Sequence, residues 1–274
     1  MTPEPRVQIH PDAGAASRAV AEGFATRARE AVEARGRFAV ALTGGGSPRA
    51  AYRLLGEEPL ASRVPWEGVH LFWGDERCVP PGHPRSNFGM AWAAFVSRVP
   101  IPRGNVHRMR GELRPEDGAR AYAEELERFF GASAPRFDLV HLGVGPDAHV
   151  CSLFPFDELL RERERSVGVA VHRPLGEPRI TLTPPVLNAA ARVEMVVLGR
   201  DKAEVVRQVL RGPLDPFRLP AQLVRPAAGE VVWVVDEGAA GGWSRQLARV
   251  PAASRAAAGE VVWVVDEGAA AGVE

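Results

Sequence analysis

Residues 38–55 read FAVALTGGGSPRAAYRLL. Phe38–Leu42 is an unbroken apolar run of strand length, and it leads straight into Thr43-Gly44-Gly45-Gly46-Ser47-Pro48-Arg49 and then into residues of helical period. Three glycines let the backbone turn tightly and approach a ligand closely. Ser47 reads as the helix cap, with Pro48 in the first turn. Free amide hydrogens and the positive end of the helix dipole then converge on one spot, an arrangement suited to phosphate. Taken alone, the stretch equally describes an ordinary glycine-rich strand-to-helix turn. It is not a P-loop, because the Gly-Lys-Ser/Thr ending is absent.

The same alternation continues in both directions. Strands are expected at Val7–Ile9, Phe38–Leu42, Val69–Trp73, Asp138–Gly143, Val167–His172, Arg179–Thr183, Glu194–Leu198 and Val231–Val235. Helical segments lie between them, notably Ala13–Arg35, Ser47–Leu55, Ser86–Val99, Glu116–Phe130 and Asp201–Leu210. This predicts an α/β fold: a doubly wound, mainly parallel, Rossmann-like sheet with helices on both faces. Ligands bind such sheets beyond the carboxyl ends of the strands, so the residues following each strand are where a site is expected.

Composition narrows the function. The 274 residues suit one α/β core better than two. Lys plus Arg and Asp plus Glu balance at 34 each, which argues against a nucleic-acid or membrane-surface protein. No apolar stretch reaches the roughly 18 residues of a membrane span, and the start, MTPEPRVQIHPD, lacks the apolar core of a signal peptide. The cytoplasm is the expected compartment. Cys78 and Cys151 have no metal-ligand or CxxC spacing and read as free thiols, so no metal is expected. All the basic residues except Lys202 are arginine. Lys202 is either a survivor of compositional drift or a position needing a compact ammonium on a flexible stem.

Three further strand ends carry chemistry. VHLFW leads to Gly74-Asp75-Glu76-Arg77, with His83, Ser86 and Asn87 before the next helix; three adjacent charges there form either a surface ion-pair cluster or part of a site. FDLVHLGVG leads to Gly145-Pro146-Asp147-Ala148-His149-Val150-Cys151-Ser152. His149 can take a proton from water near neutral pH, and Asp147 can orient its imidazole, a pairing suited to hydrolysis. Gly143–Ala148 also fits a loose GxGxxA dinucleotide pattern, but Pro146 and His149 crowd the place of a pyrophosphate. Arg179 opens RITLTPPVLNAA, and Lys202 follows a strand in GRDKAEVV; either can grip phosphate or can be a solvated surface cation.

Together the stretches ALTGGGSPRAAY, FWGDERCVPPGHPRSNFGMA, LVHLGVGPDAHVCSLFP, RITLTPPVLNAA, LGRDKAEV and LPAQLVRPAAGEVVWVVDE resemble the 6-phosphogluconolactonase family in order and spacing, from Phe38 to Asp236. The resemblance implies hydrolysis of 6-phosphoglucono-δ-lactone to 6-phosphogluconate in the oxidative pentose phosphate pathway, without a cofactor. It also implies a fold similar to glucosamine-6-phosphate deaminase and ribose-5-phosphate isomerase. His149 resembles the family's general base, with Asp147 in support and Arg77 facing the charged or developing oxyanion region. Phosphate and substrate binding would fall to Gly44, Gly45, Gly46, Ser47, Asp75, Arg179 and Lys202. The implied partner is a small sugar phosphate, with no nucleic acid or membrane, and the chain is expected as a monomer or weak homo-oligomer.

Where the family usually shows Gly-Pro-Asp-Gly-His-Thr, this chain has Ala148 and Val150. If residue 148 needs positive φ, alanine there costs on the order of 1 kcal/mol and can shift His149. Two alternative functions make different demands on the chain. An amino-sugar phosphate deaminase/isomerase would place a glutamate five residues after the histidine, where this chain has Phe154, and a non-catalytic sugar-phosphate-binding protein would carry an output module. The C-terminus repeats itself: AAGEVVWVVDEGAA occupies 227–240 and again 257–270. The first copy is expected inside the domain, residues 1–243. The second lies in an extension, 244–274, as a loosely tethered tail or an added edge strand.

Overall fold

A computed structural model describes residues 5–131, 134–173, 175–241 and 261–264. Seven strands form the main sheet: β1 (Arg6–His10), β2 (Phe38–Leu42), β3 (Val69–Trp73), β5 (Leu139–Leu142), β8 (Arg192–Val197), β9 (Glu230–Asp236) and β10 (Val261–Val264). Their order is β10-β1-β9-β8-β5-β2-β3, every neighbouring pair being parallel except β1 and β10. From β2 the chain runs outward to β3 and then returns to β5 on the other side of β2, so the strand order reverses between β2 and β5. A doubly wound sheet opens its ligand crevice at such a reversal.

The alternation of side chains assigns the layers. Phe38, Val40 and Leu42 of β2 join the core under α1 (Ala13–Arg35), α2 (Gly46–Leu55), α3 (Leu60–Arg63) and α4 (Asn87–Ala94). Ala39 and Ala41 face the opposite core, which is shared with α5 (Pro115–Phe130), α6 (Pro184–Ala189), α7 (Ala203–Arg211) and α8 (Glu237–Ala240). Helix α1 has the bounds expected of it: Asp12 Oδ1 accepts from Ala15 N–H at 2.8 Å, and Gly36, at φ 73°, ends it in a left-handed turn. Among the described residues no helix is long and apolar enough to cross a membrane.

Two strand expectations need correction. β6 (Val167–His172) and β7 (Glu177–Leu182) leave the parallel series and form, with β4 (Asp75–Arg77), a separate antiparallel sheet ordered β4-β7-β6. The few residues between β6 and β7 allow only a hairpin, since a parallel return needs a crossover of a dozen residues or more. The third member, β4, arises where β3 turns out of the main sheet at Gly74. Gly74 N–H donates to Leu42 O at 2.8 Å and Gly74 O accepts from Leu182 N–H at 2.8 Å, so this residue is bonded into both sheets. A Cβ at Gly74 would stand 2.9 Å from Cys151 Sγ, which reserves the position for glycine.

The two copies of the repeat flank β1. β9, from the first copy, lies between β1 and β8, and β10, from the second, pairs along the outer side of β1 from Ile9↔Val261 to Arg6↔Val264. Residues 261–264 thus form an added edge strand; the rest of the second copy, and the domain boundary expected at 243/244, lie outside the described residues.

Candidate active site

The reversal between β2 and β5 holds a cavity of about 210 Å³. Gly44, Gly45, Gly46, Ser47, Asp75, Arg77, His149, Arg179 and Lys202 all line it, so the structure brings together residues spread over much of the chain. Asp147 stands behind His149 rather than in the wall.

The glycine turn differs from the sequence expectation in one respect. Gly45, not Ser47, is the N-cap of α2, at φ 101°, a conformation costly for any residue with a Cβ. Ser47 falls inside the first turn. The first turn leaves the Gly46 and Ser47 amides without intrahelical acceptors, while Pro48 has no N–H to offer. Gly44 is glycine for a steric reason, because a Cβ there would lie 1.9 Å from Asn87 Oδ1.

Asn87, which the sequence names beside this strand end without a role, lines the cavity. Its Nδ2 donates to Asp75 Oδ1 at 3.0 Å and to Asp75 O at 2.8 Å, and its Oδ1 accepts from Arg77 Nη1. Asp75, buried, also accepts from Ser152 Oγ at 2.7 Å. Both its oxygens are therefore engaged, which makes it an anchor for neighbouring groups. Glu76 faces away from the cavity chemistry: its carboxylate accepts from the Asn87 and Phe88 amides at 2.7 and 2.8 Å and from Ser86 Oγ at 2.9 Å, so it secures the start of α4. Burial pushes the Glu76 pKa up, against the pull of these bonds.

Arg77 and Arg179 face each other at directly paired positions of β4 and β7. Like charges across a ladder repel. Arg179 is offset in part by Glu177, whose Oε2 lies 3.3 Å from Nη2, yet its buried Nε has no hydrogen-bond partner. Burial lowers the Arg179 pKa, Asp75 raises it and Arg77 lowers it again. The guanidinium bonds of Arg77 go to neutral oxygens, Arg85 O at 3.0 Å and Asn87 Oδ1. Lys202 Nζ likewise donates to a neutral carbonyl, Val144 O, at 3.1 Å. The wall thus carries cations with fewer carboxylate partners than they can use, which favours an anionic occupant.

The opposite lip is the turn after β5. His149 Nδ1 lies 2.5 Å from Asp147 Oδ1, which leaves Nε2 as the ring nitrogen free for other chemistry. Partial burial pushes the Asp147 pKa up, but the hydrogen bond and charge of His149 prevail and hold it below the usual carboxylate range. The turn is closed by Ala148 N–H to Gly145 O at 3.0 Å and Gly145 N–H to His149 O at 2.9 Å. Ala148 does adopt positive φ, 64°. Its strain, on the order of 1 kcal/mol, is nearly matched by the roughly 0.8 kcal/mol gained from its fully buried methyl. The Asp147–His149 contact stays intact beside it. Phe154 packs its ring 4.9 Å from that of His149, and Cys151, a buried free thiol, lines the cavity wall. Burial pushes the Cys151 pKa well up, so it stays a neutral thiol.

Residues 11–233 match the family model described as glucosamine-6-phosphate isomerases/6-phosphogluconolactonase. The chain belongs to this family. Among its curated relatives, a 6-phosphogluconolactonase from Nostoc is 38% identical, the match covering 85% of this chain and 96% of that one. The human 6-phosphogluconolactonase is 42% identical over 76% of this chain and 81% of its own. Of the solved structures, a 6-phosphogluconolactonase from Thermotoga maritima superposes with a TM-score of 0.72 at 31% identity, covering 84% of this chain and 99% of that one. A monomeric glucosamine-6-phosphate deaminase shares the fold, with a TM-score of 0.71 at 18% identity. Family membership therefore agrees with the doubly wound sheet.

Proposed function

We propose that this chain hydrolyses 6-phosphoglucono-δ-lactone to 6-phosphogluconate, the lactone-opening step of the oxidative pentose phosphate pathway, with His149 as general base. The observation that carries the reading is a histidine whose Nδ1 is held by Asp147 on one lip of a cavity, with Arg77, Arg179, Lys202 and the Gly44–Ser47 turn in its walls. His149 Nε2 takes a proton from water as the water oxygen bonds to the lactone carbonyl carbon. The carbonyl oxygen becomes an oxyanion, which Arg77 is placed to stabilise, the term that is usually largest in acyl chemistry. The tetrahedral intermediate collapses with cleavage of the bond from the carbonyl carbon to the ring oxygen, and His149 returns its proton to that oxygen. Asp147 keeps the imidazole in the useful tautomer throughout. The phosphate rests on the Gly46 and Ser47 amides with Arg179 and Lys202, while Asp75 orients the groups around it.

The deaminase alternative lacks support, because the place of the required carboxylate is taken by the Phe154 ring packed on His149. The test is direct: the purified chain is supplied with freshly generated lactone and acid release is measured above spontaneous opening. Acceleration is expected, and none would overturn the reading. Lys202→Ala, which removes one charge-assisted phosphate bond, is expected to raise KM about 10–100-fold with little change in kcat. A fall in kcat at unchanged KM would instead move Lys202 to the reacting end.

A further inference from the structure

Under the glycine turn a line of polar groups crosses the core on the α1 and α2 face. Thr43 lies one residue beyond the β2 ladder and is buried, and its N–H donates to Tyr52 Oη at 3.1 Å. Tyr52, fully buried on α2, meets Nδ1 of the fully buried His141 on β5 at 3.2 Å. His141 turns Nε2 toward Glu194 Oε2 of β8 at 3.4 Å, a stretched contact in which neither atom has another partner. Glu194 is flanked by Arg192 Nε at 2.7 Å and Arg27 Nη2 at 3.5 Å. Burial pushes the Glu194 pKa up, yet His141, Arg192 and Arg27 bring it down to about 2, so it is an anion.

The protons in this line can be assigned. Burial raises the Tyr52 pKa, so the phenol keeps its single hydrogen. Its oxygen already accepts from Thr43, and with His141 assigned as the Nε2–H tautomer the hydroxyl hydrogen points to Nδ1 and Nε2–H points to Glu194. The line also joins both halves of the site. Tyr52 is on the helix that begins with the glycine turn, and His141 is on the strand that leads to His149.

We propose that Tyr52 and His141 are positioning residues: by holding the Thr43 amide they set the Gly44–Ser47 turn at the depth that a phosphate requires. The proposal rests on reading that turn as the phosphate cradle. Removing the phenol leaves the buried Thr43 N–H without its acceptor, and the turn relaxes toward water at the expense of ligand geometry.

Tyr52→Phe is expected to raise KM for the phosphorylated lactone, and Ki for inorganic phosphate as a competitive inhibitor, each about tenfold, with kcat within about twofold. His141→Gln retains a carbonyl for the Tyr52 hydroxyl and an N–H for Glu194, and should keep KM near wild type. His141→Leu retains neither and should repeat Tyr52→Phe. Phosphate that competes in the wild type with an unchanged Ki in Tyr52→Phe would overturn the positioning role alone. Equal impairment of His141→Gln and His141→Leu would also overturn it. Phosphate that fails to compete in the wild type would remove the cradle reading itself. Should Tyr52→Phe not fold, the two His141 variants decide on the same readouts.

Discussion

With His149 replaced by alanine, kcat for lactone opening is expected to fall about 10²–10⁴-fold, the usual contribution of a positioned general base. KM should stay within about twofold, because the proposed phosphate contacts lie on other elements and are made equally in ground and transition states. The reason is the geometry of the ring. Nδ1 is occupied by Asp147 at 2.5 Å, and no other imidazole lines the cavity among the described residues. Cys151 is a neutral buried thiol and cannot take the proton in its place, and Asp75 already accepts hydrogen bonds on both oxygens from Asn87 and Ser152. The rate must be corrected for spontaneous opening, which otherwise hides the loss. Activity comparable to wild type would mean that water is activated elsewhere and would remove the mechanism.

What the sequence discloses of this protein follows from how local the causes are. Helix α1 is legible to its last residue because Asp12 caps one end and Gly36 the other. The glycine turn and the Asp147–His149 pair are legible because their chemistry is carried by residues next to one another in the chain. β4 is not, since Asp75-Glu76-Arg77 has no apolar residue; it is a strand only because Ser86, Asn87 and Ser152 meet its acids and β7 meets its backbone. The cap at Gly45 is not legible because serine is the stronger sequence signal, whereas the positive φ at which the chain enters α2 admits glycine most easily. Asn87 looked like one polar residue in a loop, and its importance to Asp75, Arg77 and Gly44 exists only once the fold is made. His141 is hidden more deeply still, within an apolar strand and 89 residues from the tyrosine that it meets.

Gly145→Ala is expected to damage catalysis about as much as a misplacement of the base by an ångström would, roughly 10²-fold or more in kcat. Gly145 is not among the residues at positive φ, so alanine brings no backbone penalty. The conflict is purely one of space: a Cβ there would lie 2.1 Å from His149 Nδ1, 2.2 Å from its Cε1 and 2.8 Å from Asp147 Oδ1. The ring cannot stay on Asp147 beside such a methyl. It must rotate outward, and the imidazole then loses both its tautomeric restraint and its aim into the cavity. The fold should survive, since an extra methyl in a packed place costs about 1–3 kcal/mol, which a thermal melt will register as a modest shift. A double-mutant cycle separates this cause from a general loosening of the turn. If the methyl acts only through the imidazole, Gly145→Ala combined with His149→Ala will be no slower than His149→Ala alone, because the group displaced is already gone. Losses that multiply in the double variant would show that Gly145 serves catalysis by another route, and the steric account would fail.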